Sequence, residues 1–151
     1  MRIETGPLRE KRYARSSRIL VTGGTGFLGS HIAVALLRAG HRVTILARSS
    51  KKLSAQARVS QIADWFGLDE GLRRSLEVAE GDILDPHLVS EAVSGPFDEI
   101  VHCASNTTFT ERKRTEVEAA NVGGLRNVLD FAAANGCVFF HHVSTAFVAG
   151  S

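Results

Sequence analysis

Along this chain, short β-branched apolar runs alternate with longer stretches in which apolar residues return every three or four positions. The first kind reads as a strand covered on both faces, the second as an amphipathic helix. Residues 18–22 (RILVT) form the first strand-like run. In the helix predicted to follow, over 27–39, the spacing sets Leu28, Ile32, Ala35, Leu36 and Ala39 on one face. Gly40 then falls where a helix end takes a left-handed residue. Strand-like runs recur at 41–47 (HRVTILA), 75–82 (SLEVAEGD), 98–104 (DEIVHCA) and 137–145 (CVFFHHVST). Polar helical stretches are predicted around 52–66 and from Arg112 to Ala134, the second closing on Asn135-Gly136. Another helix opens at Asp85-Pro86, with Asp85 as cap and Pro86 in the first turn, where an amide hydrogen has no partner anyway. Strands joined one to the next by helices predict an α/β fold, a doubly wound parallel sheet that stops after strand five.

With 151 residues, 44% hydrophobic and 23% charged, the chain is expected to bury one ordinary core. No apolar run approaches the roughly 18 residues of a membrane-spanning helix, and the N-terminus lacks the apolar centre of a secretory signal. The expected compartment is therefore the cytoplasm. The net charge of +2 conceals an asymmetry, since residues 1 to 18 carry +4 and the remainder −2. A nucleic-acid or membrane-surface arm would need aromatic interleaving or an amphipathic period, and only Tyr13 interrupts this one. Residues 1–17 accordingly read as a solvated tail or linker and 18–151 as the domain, with no nucleic-acid partner expected. Cys103 and Cys137 have no metal-type spacing and fall at opposite ends of a parallel sheet, so they are expected to be unbridged thiols.

The stretch VTGGTGFLG, 21–29, breaks the pattern by placing Gly23, Gly26 and Gly29 three residues apart between the first strand and the first helix. Gly24 adds the looser G-x-G-x-x-G match. In that setting glycine lets a pyrophosphate approach bare amides at a helix N-terminus, and lets helix and strand pack closely. The alternative is a tight turn with no ligand. At the end of the second strand a carboxylate would bond the ribose 2′-hydroxyl of NAD, whereas this chain has Arg48, which pairs with a 2′-phosphate. NADP(H) is therefore favoured over NAD(H), the alternative being a surface arginine at a strand end. Asp82, after the third strand, has two open readings: a partner for the adenine amino group, or an Asx turn before the next helix.

TGGTGFLG (22–29), GDILDP (81–86), VHCAS (101–105), ANVGG (120–124) and HVSTAFVAG (142–150) together resemble the N-terminal, Rossmann-like half of the extended short-chain dehydrogenase/reductase family. VHCASNTTF, NVGGLRNVLDFA and HVSTAFVAG are most similar to its thioester-reductase and fatty acyl-CoA reductase branch, which reduces acyl thioesters with NADPH. Nucleotide-sugar epimerases and dehydratases of the family commonly have Tyr-Gly where this chain has Ala149-Gly150. The resemblance implies that Gly23, Thr25, Gly26, Phe27, Leu28 and Gly29 line the pyrophosphate, and that Arg48 meets the 2′-phosphate. It likewise implies Asp82 and Ile83 at the adenine, and Cys103, Ala104 and Ser105 beside the nicotinamide-side ribose. Val143 and Ser144 would flank the nicotinamide, with Thr145 as the catalytic residue donating a hydrogen bond to the substrate carbonyl oxygen. The family's proton-donating Tyr-x-x-x-Lys pair has no counterpart, because the one tyrosine is Tyr13. That implies a catalytic pair and substrate domain beyond Ser151 and an isolated chain without turnover, or else a non-catalytic NADP-binding module. A sheet ending at strand five also leaves an open edge, with self-association as its risk.

Other constellations carry less. His102-Cys103 cannot act as base and nucleophile on each other, nor His141-His142 as a metal pair, since strand neighbours point to opposite faces. No metal site is expected. Asn121, poorly placed in mid-helix by propensity, is expected to bond neighbouring backbone. The mixed charges of 111–118 read as a solvated helix face.

Overall fold

The computed structural model describes residues 16–86, 96–108 and 110–144. β1 (Arg18–Thr22), β2 (Arg42–Ala47), β3 (Leu76–Glu80), β4 (Glu99–His102) and β5 (Phe139–His142) form one sheet in the order β3-β2-β1-β4-β5. Every pairing is parallel. The helices are α1 (Phe27–Arg38), α2 (Ala55–Trp65) and α3 (Glu70–Arg74), then a run that changes pitch three times. That run passes from a 3-10 turn (Glu111–Lys113) through α4 (Arg114–Glu118) and a π-helical turn (Ala119–Gly124) into α5 (Leu125–Ala134).

Strand alternation divides the core between the two faces of the sheet. Ile19, Val21, Val43, Ile45 and Ala47 face α1 and α2, meeting Ala33, Val34 and Leu37 from one and Ala55, Val59 and Ala63 from the other. Leu20, Leu46, Ala79 and Ile100 face the opposite way, onto Phe97 and onto Val128 and Ala132 of α5. Helices thus cover both faces of a parallel sheet, the doubly wound, Rossmann-like architecture expected. At the N-terminal ends of the strands, Glu77 accepts hydrogen bonds from Arg18 at 3.1 Å, Arg42 at 3.1 Å and Thr44 at 3.2 Å, stitching three strands together. Burial would push the Glu77 carboxyl up, but the bonds from Arg18 and Thr44, the Arg18 charge and the Arg42 bond together hold it below its ordinary value.

Several expectations need correcting. The fully buried side of α1 is Gly29, Ser30, Ala33, Val34 and Leu37; of the expected face, Ile32 and Leu36 pack half-buried against the core, while Leu28, Ala35 and Ala39 are exposed. Apolar residues surround most of this helix, so periodicity alone fixes no face; the close seat of Gly29 does. α3 is additional, opened by Asp69, whose side chain accepts the Leu72 N–H at 2.9 Å. The helix expected over 112–134 is present but broken by the π-helical turn, and the third and fifth strands are shorter than 75–82 and 137–145. Gly40 and Gly136 take the left-handed conformation expected at helix ends, with φ +89° and +64°. Cys103 follows β4, Cys137 precedes β5, and both are unbridged. The helix expected after Asp85-Pro86 lies outside the described residues, as does Tyr13. Among the described residues no helix is long and apolar enough to cross a membrane.

Candidate dinucleotide-binding site

β1 lies between β2 and β4, so the chain leaves its C-terminal end toward one side while β4 arrives from the other. Ligands of such sheets sit where the connections part. A cleft of about 730 Å³ opens there, walled by the loops after β1, β2, β3 and β4 and by the π-helical turn. Of the residues singled out in the sequence, Gly23, Thr25, Gly26, Arg48, Asp82, Ile83, Cys103, Ala104 and Ser105 line it. Val143, packed against the α1–α2 core, and the exposed Ser144 do not form part of its wall. Thr145 lies outside the described residues.

The loop after β1 is built by exclusion. Gly23 has φ +70°, and a Cβ there would stand 2.6 Å from the backbone nitrogen of Ala104. A Cβ on Gly29 would strike the carbonyl oxygen of Gly23. Gly26 donates to Gly23 O at 2.9 Å and accepts from Ser30 N at 3.0 Å, closing the turn onto α1. As N-cap it has no side chain to occupy the first amides, and the first turn of α1 holds no acidic residue. A helix start of this kind favours an anion. Phe27 and Leu28 open that first turn without lining the cleft, their side chains 85% and 49% exposed.

At the β2 side of the cleft, Arg48 pairs with Asp82 at 3.1 Å. The other Asp82 oxygen accepts the Leu84 N–H at 3.1 Å, so the Asx turn is formed and the carboxylate serves two partners. A second guanidinium, Arg58, reaches the same rim from α2. It donates to the Arg48 carbonyl at 2.7 Å and to Thr25 Oγ1 at 2.8 Å, both neutral acceptors. Sequence reading missed Arg58. The one signal was its place near the start of α2, where the helix field disfavours a cation without another use.

On the β4 side, His102 is buried with Nδ1 2.8 Å from Thr22 Oγ1, which also accepts the Ala104 N–H at 3.4 Å. Burial, and then the neighbouring His142, bring the His102 pKa down to about 4. Burial also raises the Cys103 thiol. A neutral imidazole committed to Thr22 beside a protonated thiol is no nucleophilic pair, as the strand geometry implied. His102 and His142 stack at 5.5 Å, whereas His141 binds Glu99 at 3.0 Å, so these two histidines serve different neighbours. Asn121 bonds backbone as expected, the partner being Asn106 in the loop after β4, 15 residues earlier, rather than a residue of its own helix.

The glycine cradle, the cations at the β2 end and the split between β1 and β4 fit a dinucleotide, and the comparisons agree. The model of the NAD-binding family described as Male sterility protein matches residues 21–151. The chain belongs to the extended short-chain dehydrogenase/reductase family. It is an NAD(P)-binding domain of that family. It is 32% identical over 134 residues to a 3 beta-hydroxysteroid dehydrogenase/Delta 5→4-isomerase of Mycobacterium tuberculosis, covering 85% of this chain and 31% of that one. To a dTDP-glucose 4,6-dehydratase of Streptomyces niveus it is 34% identical, covering 89% and 39%. Among solved structures, a thiolation-reductase di-domain from an archaeal non-ribosomal peptide synthetase superposes with TM-score 0.79 at 26% identity, covering 91% and 37%. The chain spans about a third of the length of the curated relatives it matches.

Proposed function

We propose that this chain is the NADP(H)-holding part of a cytoplasmic reductase that transfers hydride to an acyl thioester or related carbonyl. The observation that carries the cofactor choice is the paired placement of Arg48 and Arg58 at the end of β2, with the Arg58 charge tethered only to neutral acceptors. A 2′-phosphate would find two guanidiniums in reach of one rim. The glycine turn and the amides opening α1 would hold the pyrophosphate, and Ile83 with Asp82 the adenine end. Cys103, Ala104 and Ser105 would border the opposite half of the cleft, beyond which Val143, Ser144 and Thr145 follow β5. When bound, the cofactor supplies the hydride. Thr145, in its proposed role, donates a hydrogen bond to the carbonyl oxygen as negative charge grows there. The thioester assignment is supported by likeness to the thiolation-reductase di-domain.

A second reading has its own support. The likeness to the dTDP-glucose 4,6-dehydratase, with Asp82 already neutralising Arg48, fits a nucleotide-sugar enzyme using NAD(H).

Calorimetric titration of the full chain with NADPH and NADH separates the two. We expect NADPH to bind at least about tenfold more tightly, and Arg48→Ala or Arg58→Ala to remove about that factor. Equal affinities in the unaltered chain, or an undiminished preference in both variants, would overturn the NADP assignment. Because residues 1–151 contain no Tyr-x-x-x-Lys pair, binding without turnover is expected of this chain.

A further inference from the structure

A second cavity, of about 420 Å³, opens between α1 and α2 and meets the dinucleotide cleft at Thr25 and Arg58, which line both. Helical spacing builds it. Phe27, Ser30 and His31 come from the start of α1, while Arg58, Gln61, Ile62 and Trp65 fall at i, i+3, i+4 and i+7 along α2. That row flanks Ala55, Val59 and Ala63, the row that α2 buries, so docking the helix on the sheet turns it outward. His31 stands between two phenyl rings, Phe27 at 4.7 Å and Phe66 at 4.9 Å, and its Nδ1–H donates to the Phe27 carbonyl at 2.8 Å. Arg38 donates to the Phe66 carbonyl at 3.2 Å, tying α1 to the residue that ends α2. The aromatic wall is thus held in place.

Two features of this cavity point to a ligand. Phe27 and Trp65 keep large aromatic rings in water at one mouth, 85% and 84% exposed, and apolar surface gathered in this way marks binding grooves. The charge is equally one-sided. α1 carries no acid, and the one acid of α2, Asp64, is paired with Arg73 at 2.6 Å. Arg58 donates only to the Arg48 carbonyl and Thr25 Oγ1, neither of which balances its charge. An occupant that complements these walls has flat apolar faces and one negative charge. We propose that the cavity between α1 and α2 binds a planar aromatic carboxylate, its rings against Trp65, His31 and Phe66 and its carboxylate on Arg58, and that its occupancy weakens the hold on the 2′-phosphate. One guanidinium shared by two anions serves each less well, and the anions repel one another. The coupling rests on the NADP(H) reading of the cleft; the binding does not.

The test is calorimetric titration of the full chain with 2-naphthoate, using adenosine 2′,5′-bisphosphate as the probe of the 2′-phosphate rim. 2-Naphthoate is expected to bind at least about tenfold more tightly than the uncharged 2-naphthalenemethanol. Trp65→Ser is expected to weaken 2-naphthoate by about tenfold and leave the bisphosphate within about twofold, a split that general loosening does not produce. Arg58→Gln should weaken both probes. Saturating 2-naphthoate should weaken the bisphosphate by at least about fivefold, and NADH, which has no 2′-phosphate, by less than about twofold. No binding of 2-naphthoate at millimolar concentration would overturn the site, as would binding that Trp65→Ser leaves unchanged or that the uncharged alcohol matches. An unchanged bisphosphate affinity beside bound 2-naphthoate would overturn the coupling and leave the site standing. If the unaltered chain bound 2-naphthoate and not the bisphosphate, the NADP(H) reading and the coupling would fall together, while the site stood.

Discussion

The loop after β1 and the loops after β3 and β4 wall the same cleft by opposite means. After β1 the wall is backbone, packed so closely that side chains at Gly23 and Gly29 would collide with main-chain atoms. After β3 and β4 the wall is held at arm's length by side-chain amides, Asn127 on the Ile83 carbonyl and Asn121 on the Asn106 backbone, reaching 44 and 15 residues back along the chain. A steric requirement fails outright when violated, since backbone atoms have nowhere to go. A hydrogen bond contributes about 1 kcal/mol net, and its loss loosens a loop without forbidding its path. The anion-facing side of the site is therefore rigid by construction, and the flanking sides are tunable.

The sharpest way to break this contrast is Gly23→Ala. It adds a Cβ 2.6 Å from the Ala104 nitrogen at a residue with φ +70°, and denaturant unfolding should show a loss of roughly 2–4 kcal/mol. A loss below about 1 kcal/mol would place this loop in the same class as the amide-held ones.

Between the two kinds of wall stands the Thr22–His102 tie, and its pH dependence sharpens the comparison. His102 titrates near 4 in the folded protein, against an ordinary value of 6.5. Between those values the unfolded chain takes up a proton that the native protein does not. Its contribution to stability is complete above about pH 6.5 and declines as pH falls toward about 4. Melting temperature followed across that window should drop on acidification, and His102→Gln should flatten the slope. An unchanged slope in the variant would assign it to other groups.

The smallest effect is expected at Trp65, which is 84% exposed at the end of α2. Trp65→Ser should shift stability by no more than about 0.5 kcal/mol, and a larger loss would show packing that the exposed Trp65 side chain does not display.

The same contrast explains what the sequence disclosed. Gly23, Gly26 and Gly29 were legible because exclusion acts within a few residues and leaves a compositional mark. β1, β2 and β4 were legible because burial on both faces demands unbroken apolar runs, whereas β3 and β5, at the sheet edges, are mostly half-buried or exposed and were legible from their β-branched and aromatic residues alone. The buried face of α1 was not, since its alanines, leucines, Ile32 and Val34 nearly encircle it and only the seat of Gly29 chooses among them. Arg58 and the partners of Asn121 and Asn127 were hidden for a different reason. An arginine or an amide reveals nothing in its neighbours about which distant carbonyl it will meet. Asp82 lay between these cases: its Asx turn is local and was one of the two readings left open, while its pairing with Arg48, 34 residues away, was not foreseen.

The sheet order has a consequence for how the protein is made. β1 gains one neighbour in β2, but its other, β4, is about 80 residues further on, as the separation of Thr22 from His102 measures. At synthesis rates of about 5–20 residues per second, the central strand waits roughly 4–16 seconds on the ribosome with one edge unsealed. During that interval RILVT is an apolar ribbon with free backbone donors, the kind of segment that nascent-chain chaperones shelter. The residues that end the wait, Glu99 to His102, lead straight into Cys103 to Thr107 of the cleft wall, with Glu116, Ala119 and Ala120 still to follow, so the capacity to hold a cofactor comes only after the central strand is sealed.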